Sequence, residues 1–223
     1  MTDSLLRLRI NYTKQGRLRY LSHLELTRTV ERLIRRADLP FAVSQGFNSH
    51  MRYASGPALP VGTEGLDEYF DVFLTEYLDP SLIFRQLESS TVHGMEILSV
   101  NYVDTRAKGL QATHIYEDYW VIFESPSVNA QELEGSLRSV INQGFLIKKK
   151  KHTNKTYNLS KIIDSPLAVF VEASSGVCLI HMKLKSGDEG SIRPDLLIEA
   201  AMGEKNDWKI LAVTRVRLAE TKE

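Results

Sequence analysis

A single cysteine, Cys178, stands in a chain of 223 residues. That scarcity excludes an internal disulfide. It also excludes a cysteine-based zinc or iron–sulfur site built within one chain, because such sites take three or four thiolates or a Cys/His set at short spacing. Nowhere do 18 apolar residues run together, and Met1-Thr2-Asp3-Ser4 has neither a basic nor an apolar leader pattern. The expected setting is therefore the cytoplasm, with no secretion and no membrane span. There is no GxxxxGK[ST], no strand-GxGxxG-helix and no GxSxG. P-loop hydrolysis, dinucleotide redox chemistry and α/β-hydrolase catalysis thus lack their signatures. An excess of one charge sign is missing too, since 28 basic residues face 28 acidic ones. What is present, 43% apolar and 25% charged residues, is ordinary globular composition.

The zero net charge hides a separation along the chain. Residues 1–60 carry ten basic and four acidic side chains, residues 61–147 four and fourteen, and residues 148–223 fourteen and ten. Lys148, Lys149, Lys150, Lys151, Lys155 and Lys161 fall in one stretch without an acid. That stretch reads as a local positive field, a candidate polyanion contact, and equally as a solvated lysine loop.

Leu6, Leu8 and Ile10 alternate with Arg7, Arg9 and Asn11, which predicts an opening strand with one buried face. Gln15-Gly16 reads as a turn. Ser22-His23-Leu24-Glu25 has capping-box form and predicts a helix over about 22–38, ended by Pro40. On it Leu26, Val30, Leu33, Ile34 and Ala37 share one face, and Arg28, Arg32, Arg35 and Arg36 cluster opposite. Residues 44–50 read as a loop, Met51 to Ser55 as a short strand, Tyr69 to Leu74 as a strand, 81–90 as a helix and 94–103 as a strand. This β-α-β-β-α-β order predicts the split βαβ arrangement. The order recurs from Tyr116 to Val216, with strands at Phe145–Lys149, Ala168–Glu172 and Val177–Leu184 that make one strand signal more than in the first half. The expected fold is α+β, two tandem ferredoxin-like domains with antiparallel sheets. Their expected spans are 1–109, carrying the motifs below, and 110–223, carrying the lysine-rich segment.

The most specific motifs lie between Lys14 and Glu68: Lys14-x-Gly16, Ser22-His23-Leu24-Glu25-Leu26-x-Arg28, Arg35-Arg36-Ala37-x-Leu39-Pro40, Ser44-Gln45-Gly46-Phe47-Asn48-x-His50, Leu59-Pro60-Val61-Gly62 and Glu68. In these the chain resembles the uncharacterised radical-SAM-linked domain family, at the length of a stand-alone member. The resemblance fades after about residue 105. Where that family usually has Asn-Pro-His-Pro, this chain has Asn48-Ser49-His50-Met51, which keeps the histidine and gives up two rigid prolines. The resemblance implies association with a radical-SAM protein and with RNA-related or ribosomal machinery. With one cysteine the chain is not itself such an enzyme, so any iron–sulfur cluster and S-adenosylmethionine are expected only on the partner, and no cofactor is expected here.

Candidate site residues follow from chemistry. His23 lies in the first helical turn, where free N–H groups favour an anion, so it is a candidate base or phosphate-side donor. Its phase also suits a histidine at the core's rim. His50 follows Gln45, Gly46 and Asn48 in a loop whose amides can hold an anion, or which simply caps the sheet. If that loop folds back, His23, His50, Ser22, Gln45 and Asn48 share a pocket. The stripe Arg28, Arg32, Arg35 and Arg36, with Arg17 and Arg19 upstream, suits phosphates because guanidinium forks bind them bidentately. Tyr12, Tyr20, Phe47 and Tyr53 offer stacking surfaces or core packing. The acids Glu64, Asp67, Glu68, Asp71 and Glu76 match no metal motif; they are expected to repel nucleic acid or to meet a basic partner.

The leading expectation is an accessory RNA-binding module, not an enzyme by itself, acting with a separate radical-SAM partner. One alternative is a metal-independent RNA-cleaving or RNA-modifying enzyme using His23 and His50 as base and acid. The other is an adaptor that binds the radical-SAM protein without RNA.

Overall fold

The computed structural model describes residues 5–126, 130–149, 154–163, 168–172, 177–186, 190–204 and 207–220. The chain is a mixed α+β protein that divides into two compact units, 1–114 and 115–223.

In the first unit, β1 (Leu6–Lys14) leads through a 3₁₀ turn at Gly16–Tyr20 into α1 (His23–Arg36). The helix starts where the capping box closes. The Ser22 amide donates to Glu25 Oε2 at 2.8 Å, and Ser22 Oγ accepts from the Glu25 amide at 3.4 Å. Its apolar stripe Leu26, Val30, Leu33 and Ile34 is buried. Then follow β2 (Tyr53–Ser55), β3 (Thr63–Leu74), α2 (Pro80–Ser90), β4 (Ile97–Val103) and the single turn α3 (Leu110–Thr113). The strands pair in the order β4-β1-β3-β2, each neighbouring pair antiparallel. α1 and α2 cover the face that carries Leu8, Ile10, Phe70, Val72 and Leu74.

The other face of β1 was expected to meet solvent, and it does not. Arg7 and Asn11 are buried there, across from Phe73 and Tyr69. The Arg7 guanidinium binds Asp71 and also donates to the carbonyls of Ala107 at 2.6 Å and Lys108 at 3.2 Å, tying the chain after β4 onto the sheet. Asp71 thus meets a basic partner, and that partner belongs to its own chain.

The second unit runs β5 (Tyr116–Glu124), α4 (Ala130–Asn142), β6 (Phe145–Lys149), β7 (Asn154–Asn158), α5 (Leu159–Ile162), β8 (Ala168–Glu172), β9 (Val177–Lys185), α6 (Pro194–Met202) and β10 (Lys209–Ala219). Its main strands pair as β10-β5-β9-β8, again antiparallel between described neighbours. Counted from the start of each unit, this is the order of the first unit. The extra strand signal at Phe145–Lys149 is half of a β6–β7 hairpin inserted between α4 and β8. Its core joins Tyr119, Val121, Phe123, Ile180 and Met182 of the sheet to Leu133, Leu137 and Leu197 of α4 and α6. One sheet also carries parallel pairing, which corrects the expectation of antiparallel sheets throughout. Among the described residues no helix is long and apolar enough to cross a membrane.

Candidate functional site

The start of α1 is set by a buried cation. Lys14, at the end of β1, is almost fully buried and points Nζ at the carbonyls of Leu21 (3.2 Å) and Arg19 (3.5 Å), fixing the 3₁₀ turn against the strand. The Gln15 amide donates to the Gly94 carbonyl at 2.8 Å, and the Gly62 amide donates to the Arg19 carbonyl at 2.8 Å. These contacts give the Lys14 and Gly62 motif positions a common purpose: they position the first turn of α1.

That turn borders a cleft of about 480 Å³ lined by His23, Thr27, Tyr53, Ala54, Ser55, Gly109, Leu110 and Gln111. His23 Nε2 lies 3.4 Å from Ser55 Oγ. The Tyr53 phenol is hydrogen-bonded with Ser55 and Thr27, and Thr27 Oγ1 donates to the His23 carbonyl at 3.0 Å. The side chains of His23, Ser55, Tyr53 and Thr27, linked back through the His23 backbone carbonyl, therefore form a polar ring on a largely apolar cleft. Burial pushes the Tyr53 phenol well above the usual tyrosine range, against the pull of its two hydroxyl partners. At the turn itself, hydrogen bonds from Ser22 hold the Glu25 carboxyl below its ordinary range.

The loop motif stands apart from this ring. The Ser44 amide donates to the His50 carbonyl at 2.7 Å, the His50 amide donates to Ser44 Oγ at 3.0 Å, and Val43 bridges Met51. Those bonds close a loop on which Gln45, Gly46, Phe47, Asn48 and His50 are all exposed, and none of them is among the cleft's lining residues. Gly46 takes a φ of 138°, which favours glycine. The neighbour that His23 does have, Ser55, was missed in the sequence, where one serine at the end of a three-residue strand carries no signal.

All four arginines of α1 are exposed, but they differ in what they touch. Arg36 Nη2 donates to the Ser90 carbonyl at 2.7 Å, and the Arg35 guanidinium lies 4.8 Å over the Phe41 ring. Arg28 is drawn to Glu25. Arg32, one turn further on, has neither a hydrogen bond nor an ion pair among the described residues. Upstream, Arg19 stacks on Tyr20 at 4.9 Å and pairs with Glu64 at 3.4 Å. In the second unit Lys148 pairs with Glu199 at 3.3 Å. Lys149 closes β6, and Lys150 and Lys151 lie outside the described residues. Among the described residues no group of three or more His, Cys, Asp or Glu side chains is placed to hold a metal ion.

Over residues 7–194 the sequence matches a family described as an uncharacterised protein conserved in bacteria, DUF2344. No curated protein matches it. Among solved structures it is similar to a chain in a Cbf5-Nop10-Gar1 complex, at 11% identity and a TM-score of 0.51, over 95% of this chain and 48% of that one. It is likewise similar to a chain in an H/ACA ribonucleoprotein bound to a substrate RNA containing 2'-deoxyuridine, at 11% identity and a TM-score of 0.50, over 95% and 47%. The chain thus spans about half the length of these structures, and at such identity the likeness is one of fold.

Proposed function

Starting from a chain that belongs to DUF2344, an uncharacterised family conserved in bacteria, we propose that it is an accessory RNA-binding protein whose α1 arginine face holds the phosphate backbone. The carrying observation is the pair Arg28 and Arg32. They are exposed and one turn apart, and Arg32 has no partner among the described residues. Guanidinium forks at that spacing suit successive phosphates, and such contacts position an RNA without reading its sequence. The cleft at the start of the same helix gives the bound strand a polar ring to meet. One solved structure of similar fold is by its description an H/ACA ribonucleoprotein bound to a substrate RNA, which supports the choice of RNA over other polyanions. The shared strand order of the two units supports reading each as ferredoxin-like, a frame on which RNA-binding surfaces recur.

The motif resemblance over Lys14–Glu68 supports a separate radical-SAM protein as the partner that performs the chemistry, with this chain presenting the RNA. The test is retention of end-labelled ribosomal and small RNA by the full chain across a salt series. The double variant Arg28→Glu/Arg32→Glu should bind more weakly to every RNA and with a flatter salt slope, by about one unit per lost phosphate contact. Unchanged affinity and slope would remove this reading.

A further inference from the structure

In the second unit the three helices among the described residues all serve one side of the sheet. Leu133 and Leu137 of α4, Leu159 and Ile162 of α5 and Leu197 of α6 pack with Tyr119, Val121, Phe123, Ile180 and Met182. The alternation of β5 sends Trp120 and Ile122 to the other side, and that of β9 sends Leu179, His181, Lys183 and Lys185 there. Trp120 keeps 48% of its surface exposed and Ile122 38%. Strand β5 lies between β10 and β9, so Trp120 sits inside the sheet, with His181 and Thr214 as its cross-strand neighbours. Ile122 has Leu179 and Ala212 in the same relation.

A half-exposed tryptophan on a central strand leaves the flat face of an aromatic ring partly in water beside Ile122, and such a surface is characteristic of a binding face. Charge decides which kind. Two residues along β9 from His181, about 7 Å by strand rise, comes Lys183, and Lys185 follows, its ammonium 5.5 Å over the Tyr116 ring. Arg217 of β10 stands across from Asp118 in the pairing register, so three cations and one acid mark this end of the face. Flat rings beside cations on a sheet face that no described helix covers are the arrangement that takes single-stranded nucleic acid, with bases stacked on the rings and phosphates near the cations.

We propose that this face, centred on Trp120 and His181, is a stacking platform for unpaired nucleotides of an RNA strand. The inference rests on the RNA-binding reading above and assigns it a second contact, one that selects single strands where the α1 face does not.

The chain has two tryptophans, Trp120 and Trp208. Trp208 stacks on Phe123 on the core side. In the full chain carrying Trp208→Phe, all tryptophan emission comes from Trp120. Titration with 12-nucleotide oligouridylate and oligoadenylate should quench that emission to saturation. In the otherwise unchanged chain, Trp120→Ala should weaken retention of the same oligonucleotides about tenfold while leaving RNA duplex binding and the salt slope in place. Trp120→Phe should recover most of the loss, which separates stacking from misfolding. Quenching that never appears while RNA retention persists would overturn the platform and leave the arginine reading standing. Loss of binding on Arg28→Glu/Arg32→Glu together with unaltered affinity of Trp120→Ala would do the same. Concentration-dependent self-association that shields Trp120 without RNA would overturn it by assigning the face to a second copy. Absence of any RNA retention would overturn both readings.

Discussion

Asp71 and Arg7 meet inside the first unit. The carboxylate is fully buried, its Oδ2 is 2.6 Å from Arg7 Nη2, and its Oδ1 takes a second bond, 2.9 Å, from Arg9 Nε. Two guanidinium groups share one carboxylate, so its removal leaves the buried Arg7 guanidinium without its carboxylate. We predict that Asp71→Ala lowers the stability of the chain by about 3–5 kcal/mol, read as a lower midpoint in denaturant unfolding. A loss under about 1 kcal/mol would mean that water or a neighbouring acid takes over.

The arginines of α1 should separate by their contacts. Arg32→Ala removes no hydrogen bond or ion pair among the described residues and should change stability by less than about 0.5 kcal/mol. Arg36→Ala breaks the bond to the Ser90 carbonyl, and Arg35→Ala breaks the stack on Phe41, so each should lower the thermal midpoint. RNA retention should show the opposite ranking, with Arg32 the most sensitive of the three. The pair of measurements distinguishes a binding residue from a packing one.

Ser22→Ala removes the helix cap and should cost about 1 kcal/mol. It also removes the bonds that lower the Glu25 carboxyl. Because that carboxyl is lowered in the folded chain, its contribution is present above the ordinary carboxylate range and is lost as pH falls through the folded value. The difference between Ser22→Ala and the unaltered chain should therefore shrink as the solution is acidified. A difference constant from pH 7 to pH 3 would refute the link.

Tyr53 sets an alkaline limit. Its phenol is raised by burial, so its contribution is complete below the ordinary tyrosine value of about 10 and is lost as pH rises from there toward the folded value. Ultraviolet titration of the nine tyrosines should show Tyr53 among the late-ionising phenols, beside Tyr102, which burial also raises, together with loss of the first unit's structure. Tyr53→Phe should reduce the amplitude of the late step by one phenol.

Glycines offer a paired test. At Gly94 the φ is 89°, and an added Cβ would stand 2.4 Å from the Gln15 carbonyl oxygen. Gly94→Ala should cost about 2 kcal/mol or more and loosen the turn that precedes α1. Gly135, inside α4 with open space around its Cβ position, should respond in the other direction. Gly135→Ala is expected to stabilise by about 0.5–1 kcal/mol.

Elements whose apolar spacing follows a clean period were legible in the sequence. The stripe Leu26, Val30, Leu33, Ile34 with its capping box gave α1 within two residues at each end, and the alternation Cys178, Ile180, Met182, Leu184 gave β9. Strand β7, Asn-Lys-Thr-Tyr-Asn, was not legible, because a polar hairpin strand with one buried tyrosine has no period to read. The charged residues of β1 misled for a related reason. Arg7 alternating with Leu8 looks like a solvent face, and only the pairing register, which sets Arg9 opposite Asp71, shows that the second face is buried as well. The motif at the start of α1 was visible as a motif, but the partner of His23 was not. Ser55 arrives from 32 residues away through the pairing of β2 with β3, a tertiary fact with no local trace.

In each unit the first strand pairs with the last: Arg7 with Val103 in one, Tyr116 with Ala219 in the other. During synthesis at roughly 5–20 residues per second, β1 therefore waits roughly 5–20 s, by the same rate, before its partner β4 has even been made. Until then one edge of β1, with its buried arginine and leucine neighbours, stays open to any strand nearby. Truncated chains lacking β4 or β10 leave that edge open for good and should aggregate rather than persist as partial folds.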